Sequence, residues 1–177
     1  GKELENENQI LEIFPHDIIL PSCPDTLDEK SEDVFLRVSH FIDDELEKFY
    51  GLNKCFNFKT KEDLLGGLFA CIAPHICTAT VGRLIGFSRT QAFFASPYLH
   101  AAMRRDCDGD EAAVIFLADM LLNFSRKFLP AHRGGTQDSP LVLNTRINAG
   151  EVDDQILDLL VEKYPLELYQ KAEERKH

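Results

Sequence analysis

The chain has no CxxC pair among its five cysteines, and their odd number signals neither a disulfide framework nor a zinc ribbon. That usage fits a reducing, intracellular compartment. Cys71, His75 and Cys77 lie close enough in sequence to suggest zinc, but a fourth ligand is missing and their surroundings are apolar, which favours the alternative of buried Cys71 and Cys77 thiols. No clean membrane span is present either. The longest uncharged run, Leu64 to Gly82, is interrupted by Gly66, Gly67, Pro74 and His75, which suits a protein interior better than lipid. No basic n-region with a small-residue cleavage site opens the chain, which begins at Gly1 and so reads as a piece excised from something larger. Positive charge is scarce: 19 Lys and Arg face 30 Asp and Glu, for a net charge of −11, which argues against a surface that binds nucleic acid all over. Internal repeats and low-complexity stretches are absent.

What remains is 177 residues with 44% hydrophobic content, enough for one core with a helical appendage. The charge is unevenly distributed. From Arg83 to Arg133 there are seven Arg and Lys against five Asp and Glu, and four of those acids stand together in "RRDCDGDE" as Asp106, Asp108, Asp110 and Glu111. A basic stretch around an acidic point suggests a polyanion outside and a metal cation inside.

Along the chain, "DIIL" from Asp17 to Leu20, closed by Pro21, predicts a strand. Val34, Phe35, Val38, Phe41, Ile42, Leu46 and Phe49 recur at helical spacing and predict an amphipathic helix whose aromatic stripe is core. "TKED" from Thr60 has capping-box spacing and predicts a second helix through Leu64, Leu65, Leu68 and Phe69, stopped by Pro74. Ile76 to Phe94 mixes β-branched residues with Gly82 and Gly86 and predicts short strands with tight turns. Val114 to Leu129 predicts a helix capped by Asp110 and ended by Pro130. "HRGGTQDSP" reads as a loop, residues 141–147 as a strand, and the polar remainder as mostly helical. The expected organisation is a helical flank over 25–72, a core over 73–148 holding the acidic loop and its following helix, and a tail over 149–177.

Acids at i, i+2 and i+4 of a straight strand share a face, yet a rise of about 3.3 Å per residue would hold the outer two roughly 13 Å apart. Three carboxylates reach one magnesium ion only if the backbone bends. Gly109, which lacks Cβ and tolerates positive φ, is placed to supply that bend. Carboxylates so crowded raise one another's pKa, and a divalent cation removes the conflict. An EF-hand loop also starts with acids at positions 1, 3 and 5, but it needs Gly at 6 and Glu at 12, where this chain has Glu111 and Leu117. An acidic helix N-terminus accounts for Asp110 and Glu111 and leaves Asp106, Asp108 and the glycine unexplained.

The segments "APH", "VGRLIGF", "HAAMRRDCDGDE", "LNFSRKFLP", "RGG" and "PLVL", in that order, make the chain resemble the catalytic region of the large subunit of archaeal D-family DNA polymerases. The likeness extends upstream through "DIIL" and "FIDDELEKFY" and downstream through "EVDDQI" and "YPLELY". It implies an α+β fold with a double-psi β-barrel core and flanking helices, one of two barrels that form the polymerase centre. It implies further that Asp108 and Asp110 are the catalytic, metal-binding aspartates of a nucleotidyl transfer from dNTP to a primer 3′-hydroxyl. Two magnesium ions, with manganese as a substitute, about 3.5–4 Å apart would serve that chemistry without a protein nucleophile. Arg104, Arg105, Arg83, Lys127 and Arg133 are the candidate contacts to DNA or nucleotide phosphates. The implied partners are a DNA primer–template, dNTP, a second barrel and the rest of the large subunit, a small proofreading-exonuclease subunit and a sliding clamp, in the cytoplasm at the nucleoid, with no membrane. An isolated fragment lacking the partner barrel is expected to be inactive.

One position departs from the family pattern. Where asparagine is expected, two residues before the first catalytic aspartate, this chain has Asp106, which gives the DxDGD of two-barrel RNA polymerases and offers a third metal ligand. Two other readings stay open at this point: a catalytic fragment of a two-barrel RNA polymerase, and a metal-stabilised scaffold domain without catalysis.

Overall fold

A computed structural model of the chain describes residues 13–73, 78–106, 108–123, 142–143, 148–158 and 165–174. They form an α+β arrangement in which a mixed six-stranded sheet is flanked by helices. Strand β1 (Asp17–Pro21) follows the DIIL run, and its burial alternates from Ile18 onward. Helix α1 (Ser31–Lys48) carries Glu32 and Asp33 in its first turn and Lys48 in its last, charges that suit the helix dipole. Phe35 and Ile42, seven residues apart, are buried, whereas Phe41 and Phe49 of the same expected stripe stand largely in solvent. Much of the rest of the buried face is polar: Glu32, Ser39, Asp43 and Glu45.

The helix expected from Thr60 is a single 3-10 turn, Lys61–Leu64, followed by strand β2 (Leu68–Ile72). The cap exists, since Asp63 accepts the backbone N–H groups of Lys59 and Thr60 at 2.9 Å. What overrides it is the sheet. The Gly66 N–H donates to the Leu84 carbonyl at 2.7 Å and the Leu84 N–H to the Gly67 carbonyl at 2.9 Å, so the chain is drawn out of the helix before the apolar run begins. Residues 78–88 form one long strand, β3 (Thr78–Ser88), where short strands with turns were expected; β4 (Phe94–Ala95) is the short one. Gly82 lies within β3, where a Cβ would stand 2.7 Å from Ile18 Cγ2 and 3.2 Å from Cys71 Sγ, so the close approach of neighbouring side chains requires glycine there.

Helix α2 (Pro97–Met103) starts at Ser96, whose side chain accepts from the Leu99 N–H, with Pro97 at the first position. The expected helix from Val114 is divided: Ala113–Phe116 is strand β5 and Leu117–Asn123 is helix α3. Val114 and Ile115 pair with Cys71 and Ala70 across an antiparallel ladder, and that pairing takes four residues from the helix. The sheet order is β4-β1-β3-β2-β5, and β3 also pairs with β6 (Val142–Leu143). β1 and β6 both run parallel to β3, while β2 is antiparallel to it. Of the strand expected over 141–147, only 142–143 fall among the described residues. The tail supplies a 3-10 turn at Ala149–Glu151, α4 (Asp154–Leu157) and α5 (Leu166–Glu173).

The sheet is buried on both faces, as the alternation of β2 makes plain. Phe69 and Cys71 point into a cluster with Ile18, Leu20, Phe35, Leu84, Leu99, Met103 and Phe116, and Ala70 and Ile72 point into another with Ala79 and Met120. Phe69 contacts Phe35 edge-on at 4.8 Å between centroids and Phe116 at 5.2 Å. Each fully buried Leu, Ile or Phe contributes about 1.5–3 kcal/mol, so this apolar cluster is what holds α1 and α2 against the strands. Among the described residues no helix is long and apolar enough to cross a membrane.

Candidate metal centre

The acidic loop leaves α2 through a non-glycine residue in the left-handed region, Arg104, at φ 58°. The turn continues to Gly109 at φ +107°, a conformation that a side chain would strain. The bend expected at that glycine is present. With it, one carboxylate oxygen from each of Asp106, Asp108 and Asp110 lies within 4.8 Å of the others, so the three can face one cation. Among the described residues this is the one group of three or more such side chains that could hold a metal ion. Asp108 and Asp110 are exposed and Asp106 is partly buried. Asp110 does not cap a helix; β5, not a helix, follows it.

The residues fit a divalent ion on electrostatic grounds. Hydrogen bonding between the Asp106 and Asp108 side chains splits the pair, pulling Asp106 below the usual carboxylate range and pushing Asp108 above it. Burial and the charges of Asp106 and Asp110 raise Asp108 further. Asp106 Oδ1 is enclosed and no hydrogen-bond donor reaches it. A buried oxygen with no donor, beside two further carboxylates, is a position that a cation could satisfy.

A groove of about 870 Å³ opens along this loop. Asp106, Gly109 and Asp110 form one side, and Phe35, Phe93, Phe94 and Met103 supply apolar walls, with His100 and Arg105 between. The His100 ring meets Phe93 edge-on at 5.9 Å and its Nδ1 has no partner. Burial lowers the His100 pKa and the charge of Asp106 pulls it partly back, which favours a neutral imidazole. Neither the groove nor His100 was anticipated from the sequence. Ser96-Pro97 marks the helix that carries His100, and that signal was there to be read.

The arginines proposed for phosphates have carboxylate partners within the chain. Arg83 gives Nε and Nη2 to Asp17 Oδ1 at 2.9 and 2.6 Å, tying β3 to β1 beneath the Phe14 ring. Arg104 donates to Glu151 at 3.2 and 3.0 Å, and Arg105 Nη1 to Asp110 Oδ2 at 2.9 Å. Only Arg105 of the three lines the groove. Lys127 and Arg133 lie outside the described residues, as do His75 and Cys77 of the zinc reading. Cys71 itself is fully buried and its thiol is pushed up to about 12, a poor starting point for a thiolate ligand.

The chain thus has a mixed α+β sheet with a three-carboxylate loop that could hold a cation beside a groove. All 177 residues match the family described as "DNA polymerase II large subunit DP2, catalytic domain", and the chain belongs to that family. Among its relatives, the DNA polymerase II large subunit of Archaeoglobus fulgidus is 50% identical over 171 residues, 96% of this chain and 14% of that protein. That of Methanothermobacter thermautotrophicus is 46% identical over 97% of this chain and 15% of its own length. That of Pyrococcus furiosus is 47% identical over 99% of this chain and 14% of its own. The chain therefore spans about one seventh of the relatives it matches.

Proposed function

We propose that this chain is the aspartate-bearing catalytic domain of a replicative DNA polymerase, transferring a nucleotidyl group from dNTP to a primer 3′-hydroxyl. The observation that carries the reading is the convergence of Asp106, Asp108 and Asp110 in a chain whose whole length matches this family. In that role Asp108 and Asp110 hold magnesium, and Asp106 contributes its enclosed Oδ1 as a third ligand. Bound there, the metal supplies positive charge for the attacking hydroxyl and the leaving pyrophosphate. The chain's own part is positional. Gly109 sets the angle of the loop, the groove seats substrate against it, and the neutral His100 beside Asp106 adds no competing charge. Six strands with parallel and antiparallel pairings, β3 bordered by both β1 and β6, support the double-psi barrel reading of the core. The relatives extend far beyond the matched region, which supports a partner barrel, a small subunit and a clamp as the surroundings in which the domain works, and an isolated chain that does not polymerise.

The test is primer extension by the complete large subunit with its partner subunit, wild type against Asp108→Ala. Loss of extension with template binding retained supports the reading; extension at the wild-type rate makes the domain a scaffold. Asp106→Asn in the same assay addresses the third ligand, and unchanged magnesium dependence would remove Asp106 from the set.

A further inference from the structure

Arg105 does more in this loop than offer a contact for phosphates. Its Nη1 donates to Asp110 Oδ2 at 2.9 Å, with the side chain 27% and the aspartate 39% exposed. Its Nε is buried without a partner, and among the described residues the guanidinium is anchored by one bond, to a carboxylate of the trio. Its charge also contributes to holding Asp106 down. The neighbouring arginine faces elsewhere: the left-handed turn at Arg104 sends that side chain to Glu151, leaving Arg105 as the one of the two committed to the carboxylates. Asp110 thus serves two masters, since an oxygen of the same carboxylate belongs to the group that could take a cation.

We propose that Arg105 is a built-in counter-ion of the carboxylate trio that competes with the divalent cation for Asp110 and swings away from it when the cation binds. This rests on the metal-centre reading above. Once the cation holds Asp110, two like charges are crowded together, and a partly exposed guanidinium that makes a single hydrogen bond among the described residues is able to leave. The groove it lines is where it goes, with its donors available to anionic groups of a substrate seated there. The exchange offsets part of the trio's negative charge both before and after the cation binds, and it sets the cation affinity lower than three carboxylates alone would.

The experiment measures manganese binding to the complete large subunit by electron paramagnetic resonance of the free ion, with Asp108→Ala as the background that lacks the site. Arg105→Met keeps the stem and removes the charge. The expected result is site-specific manganese binding tighter than wild type by roughly two- to tenfold, an advantage that shrinks as salt is raised. Equal or weaker binding by a folded variant overturns the proposal and makes Arg105 a brace for the loop. A second measurement needs no Arg105 variant: phenylglyoxal modification of Arg105, followed by mass spectrometry, is expected to speed up when manganese is added to the wild-type subunit and to stay unchanged in Asp108→Ala. A rate that falls or does not move with manganese bound contradicts the swing. If wild type shows no Asp108-dependent manganese binding at all, the metal-centre reading itself has failed, and the role of Arg105 falls with it.

Discussion

Two aspartate sites in this molecule put carboxylates to opposite uses. Asp43, on α1 and 3% exposed, accepts the backbone N–H groups of Cys55, Phe56 and Asn57 at 2.9, 2.9 and 2.7 Å. Burial alone would push its pKa up, but those three donors outweigh it and hold it below the usual carboxylate range. Its charge is spent on pinning a loop, one residue of which, Asn57, sits at φ 52°. That loop delivers Phe56 to within 5.0 Å of Phe116, so Asp43 serves the core. Asp106, Asp108 and Asp110 have a poorer supply of donors, the Asp108 N–H being the backbone group that acts on them. They face one another and one arginine, Asp108 is driven up, and an oxygen of Asp106 is left without a donor. A carboxylate saturated by backbone N–H groups is structural; carboxylates left facing one another with few donors could take a cation.

The comparison breaks most sharply at Asp108. Its replacement by alanine is expected to lower primer extension by the complete subunit on the order of 10³-fold while leaving the thermal melting midpoint within a degree or two. A variant that loses its fold along with its activity would erase the distinction. Asp43→Ala should behave in the reverse way. Three backbone N–H groups lose their acceptor, which costs about 2–3 kcal/mol in a urea titration, and Asp108-dependent manganese binding should be unchanged.

Acidity sharpens the same contrast. Because the Asp43 pKa is depressed in the folded chain, its stabilisation is fully present above the ordinary aspartate range and is lost as pH falls through the folded value. Wild type and Asp43→Asn are therefore expected to differ in urea stability at neutral pH and to converge in acid, a trend that a pH series of unfolding curves would show. The smallest effect is predicted at Gly109→Ala. Nothing lies within 4 Å of the added Cβ, so the cost is the backbone strain at φ +107°, about 1 kcal/mol, with manganese affinity reduced more than stability.

The sequence was most legible where structure is local. The DIIL strand and α1 follow from patterns a few residues long, and the acidic loop with its glycine bend was readable because all of its parts lie within five positions. Misreadings arose where a remote strand decided the outcome. Leu64 to Phe69 and Val114 to Leu117 fit helical spacing, yet Leu68–Ile72 and Ala113–Phe116 pair with each other in the sheet, and a ladder partner more than forty residues away leaves no trace in either segment. The same holds around the site. Arg104 and Arg105 look equivalent as a dipeptide, and only the left-handed turn between α2 and the loop sends one to Glu151, in the distant acidic tail, and the other to Asp110. The groove is non-local as well, being assembled from α1, β4, α2 and the loop.

The central claim is that a bend at Gly109 gathers three aspartates around a divalent cation. Anomalous scattering from crystals of the complete large subunit soaked in manganese tests it directly. The account predicts a manganese peak in contact with carboxylate oxygens of Asp106, Asp108 and Asp110. Well-ordered aspartates with no peak among them, or side chains directed apart into solvent, would contradict it.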